Sequence, residues 1–244
     1  MLPDPVTTHV KGAWTELFSA TDINATLVDL IVAGTGASGQ DRHMLCDIGI
    51  GSAGNETVLV SNIYIGCTNG MRRYTIPIWI PSGSRVVVRC QTLSLLFATG
   101  VQMALHNTGH LQADTGSSAT TYGANTVTSG GTPATAAASI NTLSAWTELS
   151  AAISSSIRSM LVVVGGPAGS AWNAAEVLAD IGYGTSGNEQ VLISRLPLSW
   201  GTTEMAENTS LTIPVSLPAG TRLVVRYQST LITHPPTFVL VGVT

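Results

Sequence analysis

The stretch DIGIGSAGNETVLVS, Asp47–Ser61, is written a second time, as DIGYGTSGNEQVLIS, at Asp180–Ser194. The echo extends in both directions. AWTELFSA (Ala13–Ala20) returns as AWTELSAA (Ala145–Ala152), and IPIWIPSGSRVVVRCQ (Ile76–Gln91) returns as IPVSLPAGTRLVVRYQ (Ile213–Gln228). Three blocks in one order, repeated once with small insertions, indicate tandem duplication of a single fold. The period is far longer than the roughly 20–50 residues of stacked solenoid repeats. Whatever one half folds into, the other must fold into as well.

Each half reads as short apolar strands separated by Gly, Asn, Ser and Pro, the pattern of an all-β, antiparallel sandwich. The first half predicts strands at 13–18, 27–34, 43–50, 56–65, 72–80, 84–94 and 100–107. The second predicts 145–150, 158–165, 176–183, 189–198, 209–217, 221–231 and 236–243. The stretch 170–180 is rich in helix formers but aligns with a strand of the first half, so it reads as strand. Between the strands of the repeated phrase, Gly51–Asn55 makes a five-residue hairpin loop of residues that tolerate positive φ. Gly49, inside a strand, marks a bulge or a close approach.

The strand ending the third block alternates. Val86, Val88 and Cys90 share one face, with Arg85, Val87, Arg89 and Gln91 on the other. Leu223, Val225 and Tyr227 against Arg222, Val224, Arg226 and Gln228 repeat the scheme. Arginines four positions apart (i and i+4) on one sheet face call for carboxylates. Asp47 and Glu56 are the candidates for Arg85 and Arg89, and Asp180 and Glu189 for Arg222 and Arg226, as structural cross-strand ion pairs.

The expected domains are 1–115 and 116–244, with 116–139 a Ser/Thr/Gly-rich linker that includes a candidate first strand near Thr120–Thr128. The loops 62–75 and 195–212 differ between the halves in length and content, and are the expected places for partner contact.

Composition excludes several functions. Charged residues are 10% of the chain, against roughly 25% in an average soluble protein. Net charge is −4, and Arg72-Arg73 is the single adjacent basic pair, which argues against nucleic-acid binding. No run approaches the roughly 20 apolar residues of a membrane helix. The start, MLPDPVTTHVKG, lacks the apolar core of a secretory signal. Cys46, Cys67 and Cys90 form no zinc spacing and no disulfide framework, and fit folding in a reducing cytoplasm. Gly49, Gly51 and Gly54 satisfy G-x-G-x-x-G, but a strand follows instead of a helix, so no nucleotide loop is expected. His106 and His110 are a loop pair that the other half does not repeat; Asp47, Asn55 and Glu56 match no calcium loop. No catalytic residues, cofactor or metal are assigned. Trp14 and Trp146 are equivalent and read as anchors. Trp79, Trp200 and Tyr64 are the aromatic candidates for a glycan or partner contact.

AWTEL, DIGxGxxGNE and IPxxxPxGxRxVVRxQ together resemble a recurrent β-sandwich domain of tailed-bacteriophage virion proteins, over nearly all of 13–107 and 145–243. The resemblance implies two tandem homologous jelly-roll-like sandwiches in a tail fibre, tail tip or capsid decoration layer, and carries no catalytic residues. The expected function is a non-enzymatic structural protein of the virion, assembled in the host cytoplasm. It self-associates as a homo-oligomer such as a trimer and docks on another virion protein. The alternative is a carbohydrate-binding adhesin module recognising host-surface glycans. A hydrolase such as a depolymerase is the third class.

Overall fold

Alternating inward and outward residues, broken by turn residues at short intervals, produce seventeen strands and no helix among the described residues. The computed structural model describes residues 7–35, 43–66, 71–93, 98–108, 115–166, 175–200, 209–231 and 235–244. The fold is all-β, two tandem jelly-roll-like antiparallel sandwiches. The first half contributes β1 (Thr15–Phe18), β2 (Leu27–Thr35), β3 (His43–Ile50), β4 (Thr57–Gly66), β5 (Met71–Ile76), β6 (Val86–Thr92) and β7 (Ala98–His106). They pair as β1-β6-β3-β4 and β5-β2-β7.

Three short strands follow, β8 (Ala119–Tyr122), β9 (Ala124–Asn125) and β10 (Gly130–Pro133). The stretch 116–139, expected as a linker that includes a candidate first strand, carries these three strands. Its Gly and Thr residues let β8 and β10 run along the same edge of the last strand. The second half continues with β11 (Thr147–Ser150), β12 (Ile157–Gly165), β13 (Ala175–Tyr183), β14 (Gln190–Trp200), β15 (Thr209–Leu217), β16 (Leu223–Ser229) and β17 (Thr237–Val243). The order β11-β16-β13-β14 repeats β1-β6-β3-β4, and β15-β12-β17 repeats β5-β2-β7. From Ala175 onward the helix-forming stretch is strand, because β13 is sandwiched between β14 and β16.

The halves are not separate beads. A parallel bridge from Val60 to Ala119 joins β4 to β8, so hydrogen-bonded sheet runs from one half into the other. At the other edge, Ser210 and Thr212 of β15 donate to the Arg73 and Thr75 carbonyls of β5, at 2.9 and 2.5 Å. The sheet β15-β12-β17-β8 thus spans the open side of the first sandwich, from β5 to β4. Its inner face (Met160, Val162, Val164, Phe238, Leu240) fills the second core, while Leu161, Val163, Val239, Val241 and Val243 complete the first. Both faces are covered, and β12 and β17 accordingly read as continuous apolar runs in place of alternating ones. Tyr64 pins the seam: it is 0% exposed, and its hydroxyl donates to the Gly166 carbonyl at 3.1 Å and accepts from Thr237 Oγ1 at 3.3 Å.

Candidate functional site

Two polar systems stand on this frame, one on the outer face of each four-stranded sheet and one in a groove between the halves. The first is built from the repeated phrase. Asp47 on β3 is nearly buried. One carboxylate oxygen accepts from Lys11 Nζ at 2.7 Å and the Asn62 amide at 2.8 Å, the other from Arg89 Nε at 2.9 Å. Asn62 has φ 54°, and its amide points out of the ladder where the β3–β4 register shifts. The carboxylate satisfies that displaced amide. Asp180 repeats the arrangement with the Arg195 amide (φ 52°) and Arg226 Nε, both at 2.8 Å.

The guanidinium of Arg89 lies 4.3 Å from the ring centroid of Trp14, and Arg226 lies at the same distance over Trp146. Each tryptophan in turn presses on a glycine: a Cβ on Gly49 would sit 2.9 Å from the Trp14 ring, and one on Gly182 2.8 Å from Trp146. Glu56 Oε1 accepts from Arg85 Nη1 at 3.0 Å and its Oε2 from the Gly54 amide at 3.1 Å. Glu189 does the same with Arg222 and Gly187. Burial pushes the Glu56 carboxyl up, but the Arg85 and backbone hydrogen bonds outweigh it and hold the group below its ordinary range. At Glu189 the hydrogen bond from its own backbone is the leading cause of the same lowering. Sequence reasoning missed the third members, Glu16 and Glu148, which accept from Arg85 Nε and Arg222 Nε at 2.6 Å. Their signal was available, since AWTEL places the same Glu in both halves.

The second system surrounds Trp79. In Ile76–Ile80 the side chains alternate; Ile76, Ile78 and Ile80 are fully buried and Trp79 faces outward, 38% exposed. It borders a groove of about 440 Å³ lined also by Thr26, Gly116, Ser117, Arg158 and Thr244. The floor is welded to both halves. The Trp79 amide donates to the Gly116 carbonyl at 2.8 Å, the Gly116 amide to Pro77 at 3.1 Å, and the Ser117 amide to Thr244 at 3.0 Å. A Cβ on Gly116 would lie 2.2 Å from the Thr244 carbonyl, so this close approach demands glycine.

Tyr64 does not join Trp79. It is buried in the seam and presents no face to a ligand, which corrects its assignment as a contact residue. Trp200 ends β14, opposite Ala175, and its side chain lies outside the described residues. His110 lies outside them too. His106 Nε2 instead meets Asp29 Oδ2 at 2.8 Å, on a carboxylate that also accepts from Arg73 and Thr75. Burial pushes the Asp29 carboxyl up, but these hydrogen bonds and the Arg73 charge hold it below its ordinary value. No group of three or more His, Cys, Asp or Glu could hold a metal among the described residues.

No family model matches the chain, and no curated protein matches it. Solved structures similar to it include PNGF-II, at 11% identity and TM-score 0.41, covering 94% of this chain and 59% of that one. Another is the N-terminal CBM22-1-CBM22-2 tandem domain from Paenibacillus barcinonensis Xyn10C, at 9% identity and TM-score 0.26, covering 95% and 82%. A third is infectious bursal disease virus, Gx strain, at 11% identity and TM-score 0.27, covering 91% and 57%. The chain thus spans 59% of the length of PNGF-II and 57% of that of the viral chain. At such low identities and scores these likenesses carry no argument about what this chain does.

Proposed function

We propose that the protein is a non-enzymatic building block of a bacteriophage virion, in a tail fibre, tail tip or capsid decoration layer. It self-associates, as a trimer or another homo-oligomer, and docks on a second virion protein. One observation carries the reading: the polar residues that the chain repeats are committed to one another. Asp47, Glu56, Arg85 and Arg89, with Asp180, Glu189, Arg222 and Arg226, fix bulges, hairpins and tryptophans within their own sheets. Duplication has preserved a scaffold, and the surface it offers is poor in charge. Apolar side chains stand exposed at the equivalent positions Val58 on β4 (39%) and Val191 on β14 (43%), and also at Met71 on β5 and Leu211 on β15. Such positions suit contacts between copies.

The test is direct. Antibody labelling of purified particles, viewed by electron microscopy, should decorate one substructure, and particle digests should contain the chain at a fixed copy number. Particles that lack the chain overturn the proposal. A second reading, a module that binds host-surface glycans, is favoured by one observation, the outward face of Trp79 on a preformed groove.

A further inference from the structure

The duplication supplies an internal control for every residue of the groove. The strand register sets Trp79 opposite Ser216 in the other half, because Ile76, Ile78 and Ile80 correspond to Ile213, Val215 and Leu217. The same register sets Arg158 against Thr26, since Ala25 pairs with Ile80 as Ile157 pairs with Leu217. Neither the tryptophan nor the arginine is needed to build the sandwich, which the other half builds with Ser and Thr. Yet these two departures from the repeat line one groove.

Their polar groups are also uncommitted. Lys11, Arg73, Arg85, Arg89, Arg222 and Arg226 each meet a carboxylate, whereas the Arg158 side chain meets none among the described residues. The Trp79 indole N–H and the Ser117 hydroxyl likewise make no hydrogen bond there. An indole face receives the C–H-rich face of a pyranose, with its N–H at hand for a hydroxyl. A guanidinium prefers a carboxylate, which it can engage with two parallel hydrogen bonds. The floor, held by backbone hydrogen bonds from both halves, is formed before any ligand arrives.

We propose that this groove binds a saccharide bearing a carboxylate, its ring on Trp79 and its carboxylate on Arg158, with Ser117 contributing to hydroxyl recognition. The proposal rests on the glycan-binding reading above and adds the ligand class and the site. The test titrates the full chain with methyl glycosides of glucuronic, galacturonic and N-acetylneuraminic acid, with methyl glucoside, and with N-acetylglycine. Binding is followed by ligand NMR and tryptophan fluorescence. The variants are Trp79→Ser and Arg158→Thr, each carrying the other half's residue, so that their melting temperatures should match the parent's.

At least one acidic glycoside should bind at least ten-fold more tightly than methyl glucoside or N-acetylglycine, and each variant should weaken it at least ten-fold. Equal binding of methyl glucoside, unchanged in Arg158→Thr, overturns the carboxylate preference and leaves the glycan reading standing. Equal binding of N-acetylglycine makes the groove a carboxylate site for peptides and overturns the proposal. Binding of none of the probes removes both readings.

Discussion

Trp14 and Trp146 decide what can stand at Gly49 and Gly182. Alanine in a strand ordinarily gains over glycine by narrowing the unfolded ensemble. Here the added methyl would meet an indole ring that also stacks on an arginine. Overpacking of this kind costs about 1–3 kcal/mol. Gly49→Ala and Gly182→Ala should each lower the urea midpoint of unfolding; an unchanged or raised midpoint would show that the tryptophans are loosely held. His43 makes a second prediction. Its ring is buried, edge-on to Tyr64 at 5.3 Å, and burial lowers its pKa to about 4 from 6.5. The unfolded chain therefore takes up the proton first as pH falls. The neutral native form keeps its full advantage above about pH 6.5 and loses about 3 kcal/mol of it as the pH falls to about 4. His43→Phe should lose less stability over that interval than the parent, measured by urea unfolding at pH 7 and 4.5; parallel losses would contradict it.

Among the elements, the two three-stranded sheets diverge on one face. In the register that aligns the halves, Asp29 of β2 occupies the place of Leu161 in β12, and Gln102 and His106 of β7 occupy those of Val239 and Val243 in β17. The first half can bury Asp29 because Arg73 and Thr75 hold its carboxylate. The second has Ser210 where Arg73 would be, and its apolar face completes the first core instead. Burial of each such aliphatic side chain contributes about 1.5–3 kcal/mol. Five of them approach the roughly 5–15 kcal/mol of a whole domain. Leu161→Asp, which imports the first half's residue without its partner, should destabilise the protein by 3 kcal/mol or more, on the order of a broken buried pair. A loss under about 1 kcal/mol, read from urea midpoints, would show that the seam is not a shared core. The continuous apolar run SMLVVVGG was legible in the sequence, but which surface covers its second face was not, since periodicity records burial and not the identity of the neighbour. The strands and the arginine faces were legible because period-two alternation is written locally. Tyr64 could not be distinguished from Trp79 for the same reason: both are aromatics in β-prone stretches, and only the seam decides which one is covered. Asn62 gave no sign of its bulge.

At the scale of the whole molecule, the junction between halves is heterologous: the open side of one sandwich receives a sheet face of the other. Repeated between chains, such a head-to-tail contact would give a ring or an open filament, according to its rotation. The residues at the free ends oppose that. The first half's outer sheet face carries Arg73 and His106 around the buried Asp29, and the edge strand β14 of the second carries Pro197, which cannot donate to an added strand. Assembly in the proposed role therefore uses other surfaces, such as those exposing Val58 and Val191, and should yield a closed oligomer. Multi-angle light scattering of the full chain at micromolar concentration measures this most directly. The account predicts one species of defined mass, a small whole multiple of the 25.2 kDa chain; a monodisperse monomer across that range would contradict it.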